Sequence, residues 1–404
     1  MEPLGQSQVL PYLRRLSGDY AITILSFEKP QDLDNKRKQR TLQEQLETAG
    51  IAWIPLRYHK RPTVPATAFD ITHGALRSIG FALRRKPRIV HVRGYVPGVI
   101  GLTLKWLMRV KLIFDMRGFW ADEKVDGGAW RQDSSVYRAA KGVERKLLER
   151  AEVVVSLTRA GVEAMRQFPY LRGRTVRFEV IPTCTDLELF RPAKNWNRLA
   201  RQGFTLGYAG SVGTFYLFDE VAECFKEVLI QRPDARLLIV NRYAHDFICE
   251  RLRAHGVNME QVELHAAEYR EVPKYIHRMD AGICFIKPTF SKKGSAPTRL
   301  GEFLGCGVPS LVNAGVGDMD AVVANDQVGV VMREFSSVAR TEAVRDLLWL
   351  SAEARIRTRC VESAHRHFAL ERGVMSYRRI YEALQGQGPE LEIGKWNAER
   401  PGVG

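Results

Sequence analysis

Ser295-Ala-Pro297-Thr298-Arg299-Leu300-Gly301-Glu302-Phe303-Leu304-Gly305-Cys306-Gly307-Val308-Pro309 decides how the rest of this 404-residue sequence is read. It follows the apolar run Ala281–Ile286 and a polar loop carrying Lys287, Lys292 and Lys293. That order spells strand, loop, helix, with Thr298 expected as N-cap and with Arg299 and Glu302 in the opening of the helix. In open α/β sheets ligands bind at the carboxyl ends of strands, where helix N-termini offer unpaired N–H groups to anions. A helix N-terminus beside a guanidinium suits a diphosphate, which arginine grips in bidentate fashion. A carboxylate one turn further in suits ribose hydroxyls. The other reading of Glu302 is a capping or surface carboxylate.

Outward from this segment, short β-rich runs alternate with longer helical patterns, the signature of parallel sheets covered by helices. Before it come strands at Phe204–Ala209, Ala235–Val240 and Val262–His265, with helices at Phe218–Arg232 and Ala244–His255 and another closing at Tyr275–Met279. After it comes a strand at Ser310–Asn313. The first half repeats the pattern. Strands are expected at Tyr20–Phe27, Ile51–Leu56, Arg88–Val92, Lys111–Asp115, Glu152–Leu157 and Phe178–Ile181. Helices are expected at Asp34–Ala49, Thr67–Arg85 and Tyr137–Glu149. Pro182–Asn197 breaks the periodicity. The division is therefore an N-terminal unit 1–190, a C-terminal unit 191–375, and 376–404 as a helix returning toward the first unit plus a loose tail. Gly207-Tyr-Ala-Gly210-Ser211-Val-Gly213 follows the first strand of the second unit; its glycines either let a phosphate approach the backbone or make a tight strand-to-helix turn.

The six cysteines are scattered, without metal spacing, and read as reduced thiols of a cytosolic protein. No run approaches the roughly 18–20 apolar residues of a membrane span, and the start lacks a signal-peptide pattern. The net charge of +15 is lopsided, because residues 1–190 hold 32 Lys+Arg against 20 Asp+Glu. Such a field collects anions on one lobe: nucleic acid, an anionic membrane or a phosphorylated acceptor, with a merely solvated surface as the bland alternative. No nucleic-acid module or aromatic-interleaved basic stripe is present. Trp53, Trp106, Phe119 and Trp120 are candidate interfacial anchors.

The Ser295–Pro309 segment resembles the donor-site signature of glycosyltransferase family 4. Ile181-Pro-Thr-Cys-Thr-Asp186 with Phe190 is similar to its linker segment, and Gly207–Gly213 to the opening of its second domain. The resemblance implies a GT-B fold of two Rossmann-like, doubly wound α/β domains facing across a cleft. It implies a metal-independent, retaining hexosyl- or N-acetylhexosaminyl-transferase that uses a UDP- or GDP-sugar as substrate and needs no cofactor. Its acceptor would be a glycan or polyprenyl-diphosphate-linked chain in cell-surface polysaccharide biosynthesis. The expected location is cytoplasmic, peripheral on the inner face of the plasma membrane. By the same resemblance Glu302 holds the ribose, Arg299 the diphosphate, and Gly210, Ser211 and Gly213 line the phosphates. Ala266 and Glu268 meet the base, and Lys287, Ser295 and Thr298 complete the donor side. Arg117, Arg299 and Glu302 are the catalytic candidates, and Gly5, Gln6, His91, Arg93 and Trp120 the acceptor side.

Four departures stand out. The family often has Glu, seven residues, Glu, and here the first place is Gly294. The basic pair often found soon after the first strand of the second domain is replaced by Thr214-Phe-Tyr-Leu-Phe218, leaving Lys287, Lys292 or Arg242 as substitutes. A first-domain cleft histidine has no clear counterpart, and His91 has a structural reading. The sequence also starts at the loop Pro3-Leu-Gly5-Gln6-Ser-Gln8, so a central first strand is expected to be missing. The rivals are a non-catalytic partner of another transferase and a GT-B nucleotide-sugar 2-epimerase. Asp318-Met-Asp320 superficially matches a metal-binding DxD, but no metal is expected there.

Overall fold

In the computed structural model, which describes residues 5, 8–59, 61–193 and 203–386, every strand pairing is parallel. The C-terminal half forms one six-stranded sheet from β7 (Thr205–Ala209), β8 (Arg236–Val240), β9 (Val262–His265), β10 (Ala281–Cys284), β11 (Ser310–Asn313) and β12 (Gly329–Met332). Its spatial order is β12-β11-β10-β7-β8-β9. Numbered from its own first strand this is 3-2-1-4-5-6, the doubly wound order whose topological switch lies between strands one and four. The switch therefore falls between β7 and β10.

The N-terminal half makes two sheets. β1 (Thr23–Glu28) pairs with β2 (Ala52–Arg57), and β3 (Ile89–Arg93), β4 (Lys111–Asp115), β5 (Val153–Ser156) and β6 (Phe178–Val180) form a four-stranded sheet. Among the described residues no strand joins β1 to β3. Burial explains the strand sequences. Leu112, Ile113, Phe114, Val153, Val154 and Val155 are all fully buried, as expected for strands covered on both faces.

The helix Leu370–Gln385 packs Leu370, Val374, Tyr377, Ile380 and Tyr381 against Ile113, Val153, Val155 and Ile181 of the first half. It starts before residue 376, because Ala369 is extended and the preceding helix ends at Phe368. Other boundaries move by a few residues. The Asp34–Ala49 helix divides into Pro30–Asp34 and Lys36–Thr48 at Asn35, whose side chain accepts from the Lys38 N–H. The Thr67–Arg85 helix begins earlier, at Thr63. Its opening turn holds Pro65, which a first turn tolerates because the missing N–H has no helical partner there. The tail at 387–404 and part of the linker, 194–202, lie outside the described residues.

Candidate donor site at the sheet switch

A pocket opens where the topology places it. It is lined by Tyr208, Ala209, Gly210 and Ser211 at the end of β7, Cys284 at the end of β10, Tyr216, and Pro297, Thr298 and Arg299 at the start of the Thr298–Gly305 helix. Four of the expected donor residues (Gly210, Ser211, Thr298, Arg299) thus meet in one cavity, with Glu302 one turn below. Gly210 has φ +141°, a conformation L side chains rarely adopt, and a Cβ there would sit 3.8 Å from the Arg299 side chain. Gly213 has φ +86° and accepts from the Tyr216 N–H at 2.9 Å, closing the turn that brings Tyr216 over the pocket.

Thr298 is not the N-cap. The helix starts at Thr298, and Pro297 holds the cap position without a side-chain bond. Proline has no side-chain acceptor, so the first N–H groups of this helix lack a capping side chain, and Thr298 and Arg299 of this turn line the pocket. Glu302 is 3% exposed and pairs with Arg299. Burial pushes the Glu302 carboxyl above its usual range while Arg299 opposes the shift. Burial also pushes the Cys284 thiol up to about 12, so it is an apolar wall rather than a nucleophile.

Two asparagines fix this geometry. Asn241, 6% exposed at the end of β8, donates to the Gly210 carbonyl at 2.7 Å and accepts from the N–H groups of Tyr243 and Ala244. Asn313, at the end of β11, brackets Ile286, accepting from its N–H at 2.8 Å and donating to its carbonyl at 2.9 Å. Neither stood out in the sequence, although both sit where strands end. An asparagine at or just after a strand end reads locally as an ordinary turn residue.

Other expected donor residues lie around the pocket without lining it. Ala266 is exposed just past β9, and Glu268 pairs with Arg242 at 2.5 Å while forming a capping box with Glu271. Lys287 is exposed at the loop start. Ser295 lies beside Gly317. Lys292 is committed elsewhere, bonded to Glu123 at 3.0 Å with its ammonium 3.7 Å from the Phe215 ring centroid.

The loop Phe290–Gly294 presses on the N-terminal half. Ser291 N–H donates to Asp126, Thr158 donates to the Lys293 carbonyl at 2.5 Å, and Phe119 stacks on Phe290. From the same side, the Asp318 carboxylate accepts from Arg159 and Ala160 N–H at 2.7 and 3.0 Å, capping the Arg159–Arg166 helix. Asp320 turns to Gly315 and Ala321 N–H. The DxD-like pair is therefore used in capping, and among the described residues no cluster fit for a metal forms.

In the N-terminal half, the ends of β3 and β4 hold a buried polar group. Arg93 donates to Asp115 at 2.8 Å, and Tyr377 donates to the same oxygen at 3.2 Å. Arg117 follows with φ +62°, its pKa lowered by burial and by Arg93, with Asp115 opposing. Burial drives His91 down to about 4, against the pull of Asp115. Its ring meets the Tyr381 hydroxyl at 2.9 Å and packs on Tyr377, a structural environment. Trp120 is partly buried and packs on Tyr95 and Trp130. The Gly5 carbonyl accepts from the Val9 N–H, and Gln6 lies outside the described residues. Trp53 at 9% and Phe119 at 1% exposure are core residues, so of the four proposed anchors only Trp106, at 81%, is open to solvent. Strand and loop aromatics are absorbed wherever two layers meet.

Residues 12–184 match the family model of the glycosyl transferase 4-like domain. The match covers less than half of the chain, and the architecture of the whole is the GT-B fold. This GT-B protein is similar to sucrose-phosphate synthase from Thermosynechococcus elongatus, with 15% identity over 90% of this chain and 99% of that one and a TM-score of 0.66. A glycosyltransferase from Rickettsia africae is also similar, at 15% identity, covering 90% and 98%, with a TM-score of 0.64. HepE from Anabaena, solved in complex with UDP, is 15% identical over 93% and 96%, with a TM-score of 0.63. At such identities the likeness is one of fold. No curated protein matches the chain.

Proposed function

We infer that this GT-B protein transfers a sugar from a nucleoside-diphosphate sugar of the uridine class to an acceptor hydroxyl, with a glycan or polyprenyl-diphosphate-linked acceptor in cell-surface polysaccharide assembly. One observation carries the reading. The Gly210 turn, the open N-terminus of the Thr298–Gly305 helix and the Arg299–Glu302 pair converge at the β7/β10 switch. The uridine class is supported by the Anabaena neighbour's complex with UDP.

Breaking the bond from the anomeric carbon to the diphosphate places negative charge on the leaving group. Helix-terminal N–H groups, already fixed in place, stabilise that charge without reorganisation, and Arg299 turns from Glu302 to join them. Glu302, freed from Arg299 when the latter turns to the phosphates, accepts from the ribose hydroxyls. The acceptor lies toward Arg93 and Arg117 at the ends of β3 and β4. No carboxylate lines the described pocket, which supports retention on one face, with the leaving phosphate taking the acceptor proton. Asp318 and Asp320 are engaged in capping, which supports a step without a metal.

The test is single-turnover analysis with UDP-sugars and a panel of polyprenyl-diphosphate glycans. A transferred sugar establishes the reaction, and free UDP with an epimerised sugar would replace it. A non-catalytic reading is favoured by Gly294, where the family often carries a carboxylate. Tight UDP binding with no turnover on any acceptor would support it.

A further inference from the structure

We propose that the outer face of the Thr63–Arg85 helix, with the adjoining end of the Tyr95–Met108 helix, docks on an anionic lipid bilayer. A helix on a sheet normally turns its apolar stripe inward. Here Ala66, Asp70, Gly74 and Ala82 form the packed side. Phe69, Leu76 and Leu83 are 57%, 64% and 66% exposed. They are spaced by seven residues, which at 3.6 residues per turn keeps them on one stripe. Ala82 and Leu104 share a core cluster, so the C-terminal ends of the two helices adjoin. That brings Trp106, 81% exposed, to the same end as Leu83.

Charge selects the partner. Residues 60–114 contain eleven Lys+Arg and a single acid, Asp70. Asp70 is 2% exposed and is bonded to His59 at 2.6 Å, so no carboxylate from this stretch reaches the surface. Arg77 and Arg84, themselves seven apart, run as a cationic rail beside the apolar stripe. Among the described residues neither makes a salt bridge. A second copy of the chain is a poor occupant, since stacking this face on itself opposes cation to cation. A polynucleotide would match the arginines and leave three aliphatic or aromatic side chains and a tryptophan without an apolar partner. An anionic bilayer satisfies both, with apolar side chains entering the acyl boundary and guanidinium groups meeting the headgroups. No helix among the described residues is long and apolar enough to cross a membrane, so this contact lies in the interface. It deepens the lipid-linked acceptor reading by naming the face that holds the enzyme on the membrane.

Flotation of the full chain with vesicles tests the proposal, using phosphatidylcholine alone and phosphatidylcholine with phosphatidylglycerol. Binding is expected to the anionic vesicles and to fall with salt. Arg77→Gln with Arg84→Gln is expected to weaken partitioning about thirtyfold, and Leu76→Gln with Leu83→Gln at least about tenfold. Both pairs are exposed, so folding and UDP affinity by calorimetry are expected to stay unchanged. No anionic preference, or binding that both double variants leave intact, would overturn the assignment. So would capture of duplex DNA with vesicles ignored. Vesicle binding by a chain that fails to bind any nucleotide would instead sink the transferase reading and leave this face standing.

Discussion

Gly118 and Gly294 meet backbone to backbone between the two halves: a Cβ on Gly294 would lie 3.0 Å from the Gly118 Cα. Gly118 itself has φ +114°, and Gly161 approaches Gly294 closely as well. The loop that leads into the Arg299 helix is thus seated on the N-terminal half through three glycines.

Gly294→Val inserts a branched side chain into this contact. Overpacking against backbone costs about 1–3 kcal/mol. We expect a lower melting temperature and a larger radius of gyration by small-angle scattering, because the loop and the N-terminal half must separate. An unchanged scattering profile would show that the glycine contact does not hold the halves together.

Asn241→Ala removes the donor that fixes the Gly210 carbonyl and leaves the Tyr243 and Ala244 N–H groups unpaired. Losing these partly buried bonds costs about 1–3 kcal/mol in all. Stability measured by denaturant titration is expected to fall by about that much, with weaker nucleotide affinity measured below the transition. Loss of stability with undiminished affinity would detach Asn241 from the donor site.

How much of this was legible in the sequence depends on the residue. Lys111–Asp115 is a strand with the bounds read from KLIFD, since a buried parallel strand leaves an unbroken apolar run. The Ser295–Pro309 pattern located the pocket because its helix start has a local signature. Asn241 and Asn313 carried none: their value comes from Gly210 and Ile286, far away in sequence. The same holds for the docking face. Phe69, Leu76 and Leu83 look like any core stripe until Gly74 and Ala82 are seen packed on the opposite side.

His91 gives a pH signature. Its folded pKa of about 4 lies below the usual value of about 6.5 for an unfolded chain. The unfolded state therefore binds the proton first, so this stability is present above about pH 6.5 and is lost as pH falls toward 4. The full window is worth about 3 kcal/mol. Denaturation midpoints are expected to rise between pH 5 and 7, and His91→Gln to flatten that rise. Equal slopes in both proteins would assign the titration elsewhere.

Arg299→Ala leaves the Glu302 carboxylate buried without its partner, whereas Arg299→Ala with Glu302→Ala removes both. Breaking a buried pair on one side costs about 3–5 kcal/mol. The double variant is therefore expected to be more stable than the single one, while neither binds nucleotide well. Recovery of binding in the double variant would contradict the assigned diphosphate role.

The most direct measurement is calorimetric titration of the wild-type chain and Glu302→Ala with UDP, GDP and ADP. Saturable binding of UDP in preference to the others is expected, weakened about tenfold or more in the variant as a charge-assisted bond to the ribose is lost. A folded wild-type chain that binds none of the three, or a variant that binds UDP as tightly as wild type, would contradict the donor site at the β7/β10 switch.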